Sequence, residues 1–137
     1  MPGGDGIVRA VLVTDEDVVR LRKMVREDMV ALKFSLTDQT KMVTAASELA
    51  RNVLRYGGGG HAELEQLEQG MNQGVRVRFI DAGPGIVNLE LALTDGYTTG
   101  GGMGLGLSGA RRLADEFDID TAPGKGTTVT ITKWKPF

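Results

Sequence analysis

Glu48 and Asn52 stand four positions apart in the segment Ser47-Glu48-Leu49-Ala50-Arg51-Asn52. On a helix that spacing leaves about 40° between the two side chains, so both can point into one cleft. A carboxylate there can accept a proton from an attacking hydroxyl, and an amide oxygen is a suitable hard ligand for a phosphate-bound magnesium ion. Taken alone, the same residues make an ordinary polar helix edge. Asp81 ends the run Val75-Arg76-Val77-Arg78-Phe79-Ile80-Asp81, whose alternation sends Asp81 to the same buried side as Val75, Val77 and Phe79. A core-facing carboxylate demands partners. An adenine amino group is a good partner, and Gly83 and Gly85 would let a flat base approach the backbone; an Asp-Ala-Gly turn bonding its own amides is the plainer alternative.

The third segment is Gly100-Gly101-Gly102-Met103-Gly104-Leu105-Gly106-Leu107, a glycine-rich entry into a helix. Free amides and the helix dipole make such an entry an anion site. Residues 104–109 formally match G-x-G-x-x-G, but no convincing strand leads into them and the alternating parallel strands and helices of a Rossmann domain are missing. Gly124-Lys125-Gly126-Thr127-Thr128 lacks the spacing of a phosphate-binding P-loop, and glycine follows its lysine where a hydroxyl residue is required. His61, the only histidine, opens a strand beside a glycine run, which suits a surface position better than catalysis. Trp134 near the end of the last strand reads as sheet packing before it reads as a partner surface.

The elements that must position these residues can be read from periodicity. Ile7 to Val13 has the β-branched content of a strand, and Thr14 is placed to cap a helix over about Asp15–Lys33, with Val18, Leu21, Val25, Met29 and Leu32 as its apolar stripe. Ser35 or Thr37 caps a second helix whose stripe is Met42, Ala45, Ala46, Leu49, Val53 and Tyr56, ending in the run Gly57 to Gly60. His61 to Gln69 reads as a strand despite imperfect alternation at Leu64 and Leu67. It forms a hairpin through Gly70-Met71-Asn72-Gln73-Gly74 with the strand ending at Asp81. Roughly twenty residues then precede the next helix, a length usually reserved for functional or mobile loops. Leu105 to Phe117 is expected to be that helix, with Leu107, Ala110, Leu113 and Ala114 on one face. Ile119–Ala122 begins a strand, Pro123–Gly126 turns, and Thr127–Trp134 is the last strand. Consecutive hairpins imply antiparallel pairing, and the helices need one common sheet face, so a two-layer α/β sandwich of the α+β class is expected.

At 137 residues the chain suits one domain spanning 1–137, with residues 1–6 as a loose terminus. A net charge of −2 leaves no electrostatic footprint for nucleic acid. The lack of cysteine excludes disulfides and thiolate zinc sites, and without an export signal or a long apolar run a cytoplasmic protein with no membrane partner is expected. The twenty glycines cluster at 57–60 and 100–106, as mobile or closely approached backbone would require.

Together, Glu48-xxx-Asn52, Asp81-x-Gly83-x-Gly85 and the glycine run through Gly106 resemble the N, G1 and G2 boxes of the GHKL (Bergerat-fold) ATPases. The short length, the Ser47–Asn52 wording, Thr98-Thr99, and the closing Gly126-Thr127 with Lys133-Trp134 are most similar to the RsbT-type switch serine/threonine kinases, relatives of the anti-sigma factor kinases. The resemblance implies a Bergerat fold with a mixed, mostly antiparallel sheet carrying its helices on one face. It also implies ATP and Mg2+ as cofactors. Glu48 would be the general base, Asn52 the magnesium ligand and Asp81 the adenine-reading acid, with Thr127 helping through a water and Gly83 and Gly85 beneath the base. Residues from about Thr94 to Gly104 would form a lid. Thr98, Thr99, Gly100, Gly101, Gly102, Gly104, Leu105 and Gly106 would contact the phosphates, without any lysine or arginine in the lid.

The implied reaction is transfer of the ATP γ-phosphoryl group to a serine or threonine of a STAS-domain antagonist or stressosome scaffold protein, with a serine phosphatase activated by the released kinase. Two rivals remain: an anti-sigma factor acting mainly by sequestering a sigma subunit, and a nucleotide-binding module without transfer activity. The retained Glu48 speaks against the latter.

Overall fold

The computed structural model describes residues 6–86, 88–93 and 107–135. Strand β1 (Val8–Leu12) is followed by helices α1 (Asp15–Ala31) and α2 (Leu36–Arg55), then by the hairpin β2 (Gly60–Gln69) and β3 (Asn72–Asp81). A one-turn helix α3 (Leu89–Ala92) lies in the long connection, and α4 (Leu107–Leu113), β4 (Glu116–Thr121) and β5 (Thr127–Trp134) complete the order. The strands form one sheet in the order β1-β2-β3-β5-β4, and all four pairings are antiparallel. No helix among the described residues is long and apolar enough to cross a membrane.

The helix ends follow local chemistry. Thr14 Oγ1 accepts from the Asp17 amide at 3.2 Å while Asp17 Oδ2 accepts from the Thr14 and Val13 amides at 3.0 and 2.9 Å, a capping box that starts α1. These amides hold the Asp17 carboxyl down at about 2. At the other end α1 stops at Ala31, two residues short of the expected Lys33. Lys33 turns to φ 65°, its amide reaches Val30 O at 3.0 Å, and the Phe34 amide reaches Met29 O at 2.9 Å. That Schellman closure buries Phe34 in the core. Ser35, not Thr37, caps α2, its Oγ accepting from the Asp38 amide at 3.1 Å.

One sheet face carries Ala62 and Leu64 from β2, Val75, Val77 and Phe79 from β3, and Val129 and Ile131 from β5. Val18, Leu21, Val25 and Met29 of α1, and Met42, Ala45, Ala46, Leu49 and Val53 of α2, close over it as their stripes predict. Val43 and Ala50 are buried as well, because α2 is pressed between α1, α4 and the sheet and has little free face. The imperfect alternation of β2 has a simple cause. Gln66 occupies the helix-facing position opposite Val75 and hydrogen-bonds Asp28 of α1, while burial pushes the Asp28 carboxyl up from its ordinary value.

Three further boundaries differ from expectation. The β2–β3 connection is a two-residue turn, Gly70-Met71, with Gly70 at φ 63° and Gln69 paired to Asn72, because glycine at the first turn position allows the tight hairpin. Helix α4 ends at Leu113, not Phe117, and β4 starts at Glu116, not Ile119. Backbone pairing wins there: the Asp115 amide donates to Thr132 O at 2.9 Å, and Phe117 and Ile119 turn inward at the period of a strand. Trp134 lies over Gly74 on the opposite sheet face, with Nε1 donating to Glu116 Oε2 at 2.6 Å.

Candidate functional site

Helix α2 delivers Leu49, Asn52, Val53 and Tyr56 to one side of an open cleft, and its C-terminus continues into Gly57. The ends of β3 and β5 deliver Phe79 and Asp81, and Thr127 and Val129, to the floor; Gly85, Ile86 and Leu107 at the start of α4 complete the lining. The cleft and its open mouth together hold about 480 Å³ of space not filled by protein. Its inner wall is apolar, with Phe79, Val129 and Leu107 all buried, and its polar groups are few. This pattern suits an aromatic ligand held by a small number of directional contacts.

Asp81 and Thr127 are paired neighbours on β3 and β5, and that register puts both at the same end of the cleft. Asp81 Oδ1 accepts from the Gly83 amide at 2.9 Å. Burial pushes the Asp81 carboxyl above its ordinary value, opposed by the backbone amides of Gly83 and Thr127. The Asp-Ala-Gly turn and the cleft-facing acid are therefore the same structure.

The approach of α2 to β3 depends on Gly57. A side-chain carbon on Gly57 would overlap the Asp81 carboxyl, 2.7 Å from Oδ2. Gly83 packs equally closely, since a side-chain carbon there would lie 2.7 Å from the Gly57 Cα and 3.0 Å from Gly57 O. Gly83 thus serves the α2–β3 junction and stands outside the cleft lining, whereas Gly85 lines the cleft. From the sequence Gly57 reads as a helix terminator within a glycine cluster that suits mobile or closely approached backbone; its contact with Asp81 joins segments 24 residues apart, which no local pattern encodes.

Glu48 lies one helical turn before Asn52 and beyond the cleft lining. Its Oε1 accepts from Arg51 Nη1 at 2.8 Å, with the two side chains 41% and 37% exposed, so it sits at the solvent rim. A protein substrate can reach a carboxylate in that position. Among the described residues no cluster of three or more His, Cys, Asp or Glu is arranged to hold a metal ion. Asn52 supplies a hard oxygen donor from the α2 side of the cleft, apart from Asp81 and Thr127 at the strand ends, which fits a magnesium ion carried mainly by phosphates and water. Thr98, Thr99, Gly100, Gly101, Gly102, Gly104, Leu105 and Gly106 lie outside the described residues.

Residues 37–136 match the family model described as histidine kinase-, DNA gyrase B-, and HSP90-like ATPase. The chain is 38% identical over 123 residues to the serine/threonine-protein kinase RsbT of Bacillus subtilis, covering 90% of this chain and 92% of that protein. It is 28% identical over 95 residues to an anti-sigma F factor of Thermoanaerobacter sp., covering 66% of each. Among solved structures, the RsbU and RsbW domains of a Mycobacterium tuberculosis protein superpose with a TM-score of 0.62 at 21% identity. That match covers 95% of this chain and 33% of the other, and it shows a shared fold.

Proposed function

Given that the chain belongs to the GHKL family of histidine kinase-, DNA gyrase B- and HSP90-like ATPases, we propose that it is an ATP-dependent serine/threonine-protein kinase of the switch type. Its substrate would be a STAS-domain antagonist or stressosome scaffold, and release from that scaffold would free it to activate a serine phosphatase. The observation that carries the reading is the meeting of Asn52, Asp81 and Thr127 in one apolar cleft, with Glu48 at its rim. The similarity to the RsbT kinase over nine-tenths of the chain supports this activity over sigma-factor sequestration, because the anti-sigma F factor matches less of the chain and less closely.

In this mechanism the adenine enters between Phe79, Val129 and Leu107, with its amino group on Asp81. A magnesium ion bound with ATP would supply charge neutralisation at the phosphates, and Asn52 is the residue placed to give it a protein oxygen. Glu48 accepts the proton of the substrate hydroxyl as its oxygen bonds to the γ-phosphorus. The bond from that phosphorus to the bridging oxygen breaks, and ADP leaves with the electron pair. Glu48 must exchange its contact with Arg51 for the incoming hydroxyl, which its solvent-rim position allows. The protein's own contribution is mainly positioning.

The test is calorimetric titration with ATP, with and without magnesium, followed by radiolabelled transfer from ATP to a purified STAS-domain protein. Magnesium-dependent binding and label on a serine or threonine are the expected results. Absence of ATP binding in the presence of the STAS-domain protein would sink the proposal. Capture of a sigma subunit without transfer would favour the anti-sigma reading.

A further inference from the structure

Thr121, the last residue of β4, lies outside the cleft lining, yet its hydroxyl joins three parts of the site. Its Oγ1 accepts from the Ile86 amide at 3.0 Å, lies 3.1 Å from Gly126 O, and lies 2.9 Å from Thr127 Oγ1. A hydroxyl has one proton and two lone pairs. Gly126 O can only accept, so the Thr121 proton goes to it. The remaining bond to Thr127 therefore requires Thr127 to donate. With its one proton committed to Thr121, the Thr127 hydroxyl can only accept from the cleft. Beside it stands Asp81, which when ionised also only accepts. The amides that reach this pair and its support are already used, those of Gly83 and Thr127 on Asp81 and that of Ile86 on Thr121.

We infer that Thr121 is a positioning residue that locks the Thr127 hydroxyl as an acceptor, so that this end of the cleft selects a base edge bearing an amino group over one bearing an oxo group. The inference rests on the nucleotide reading above and adds to it the residue that sets the discrimination. The same three bonds pin Ile86 of the cleft wall to the β4–β5 hairpin. A second tie, from the Gly124 amide to Pro84 O at 2.7 Å, holds the adjoining backbone independently. Removing the Thr121 hydroxyl therefore leaves that wall attached while freeing the Thr127 proton to turn into the cleft. There it can donate to an oxo group.

The experiment compares ATP with inosine triphosphate, which carries oxo in place of the 6-amino group, by magnesium-containing titration of the wild type, Thr121→Val and Thr121→Ser. The wild type should prefer ATP, Thr121→Val should narrow that preference about tenfold, the worth of one hydrogen bond, and Thr121→Ser should restore it. A merely structural threonine would lower the melting temperature of Thr121→Val without moving the ratio. An unchanged ratio in folded Thr121→Val, or no restoration by serine, overturns the inference while leaving the kinase reading intact. Should the valine variant fail to fold, Thr121→Ala gives the same comparison. Equal binding of the two nucleotides by the wild type also overturns it. Binding of neither nucleotide by the wild type instead removes the nucleotide reading on which it stands.

Discussion

Gly57 ends helix α2 directly on the carboxyl of Asp81, leaving no room for even a methyl group between them. The relationship links the polarity of the cleft to the path of a helix. If α2 ended in any other residue, either the helix would lift from β3 or Asp81 would rotate away from its Gly83 partner.

Gly57→Ala should accordingly cost about 1–3 kcal/mol of stability, as overpacking typically does, and should weaken ATP binding because Asp81 must move. Gly58→Ala is the control. Gly58 has φ 74° with nothing within 4 Å, so its alanine variant carries only backbone strain, about 1–2 kcal/mol, and should bind ATP nearly as the wild type does. Thermal melting and ATP titration of the pair check both statements; equal ATP affinities in the two variants would refute the role given to Gly57.

Glu48→Gln removes the proposed proton acceptor and keeps the shape of the side chain. Transfer to a STAS-domain substrate should fall by about a hundred- to ten-thousandfold, while ATP affinity stays unchanged, since Glu48 lies beyond the cleft lining. Single-turnover transfer assays and titration separate the two effects. Full activity in the variant would withdraw Glu48 as the base.

Asp81 carries a pH dependence of definite sign. Burial raises its folded-state pKa above the ordinary carboxyl value, so the protonated form favours the native state. That contribution is complete below the unfolded pKa and is lost as pH rises through the folded one. Asp81→Asn, which has no charge to bury, should therefore gain stability relative to the wild type as pH rises from 4 to neutrality, and at pH 7 should be the more stable protein while binding ATP less well. Denaturation curves across that pH range, with ATP titrations at pH 7, measure both. A variant that loses stability relative to the wild type on raising the pH would contradict the burial argument.

Asp17 has the opposite sign. The Val13 and Thr14 amides hold its carboxyl at about 2, below the ordinary carboxyl value, so its contribution is present above the unfolded pKa and lost as pH falls through the folded one. Asp17→Asn should be less stable than the wild type at pH 5–7, and the difference should shrink between pH 4 and pH 2. Chemical denaturation in that window is the measurement, and a constant difference would exclude the capping box as its source.

Much of this architecture was readable from periodicity because its strands and long helices each bury one face. Val75, Val77 and Phe79 alternate, and Val18, Leu21, Val25 and Met29 step as a helix does, so the sheet face and α1 could be placed from residue types alone. The α4–β4 boundary was misplaced because Leu113, Ala114 and Phe117 also fit a helical stripe. The competing signal, Phe117-Asp118-Ile119 in strand alternation, prevails only through pairing with β5, a partner farther along the chain. In the cleft, Asn52 and Asp81 stood out as polar residues beside apolar patterns. Gly57 and Thr121 did not, since their importance lies in what they touch: a carboxyl 24 positions away, and an amide 35 positions away.

Lys133 is a buried cation at the end of β5 far from the cleft. Its Nζ lies 3.2 Å from Asp115 Oδ1, 3.8 Å from Asp38 Oδ1 and 3.4 Å from Leu113 O, where it caps α4 and ties that helix to the first turn of α2. The lysine side chain is 9% exposed, so Lys133→Met keeps the packing of its stem and removes only the charged end. Asp115 is 40% exposed and can rehydrate, whereas Asp38 at 16% is left closer to an uncompensated buried charge. The loss should therefore be about 1–3 kcal/mol, below the cost of breaking a fully buried pair. Lys133 and Thr127 are six residues apart on one strand, a separation of about 20 Å. The folded variant should thus bind ATP as the wild type does. Urea denaturation and ATP titration at low temperature check the pair of outcomes, and a stable variant with weakened ATP binding would show that α4 transmits its C-terminal anchoring to Leu107 in the cleft.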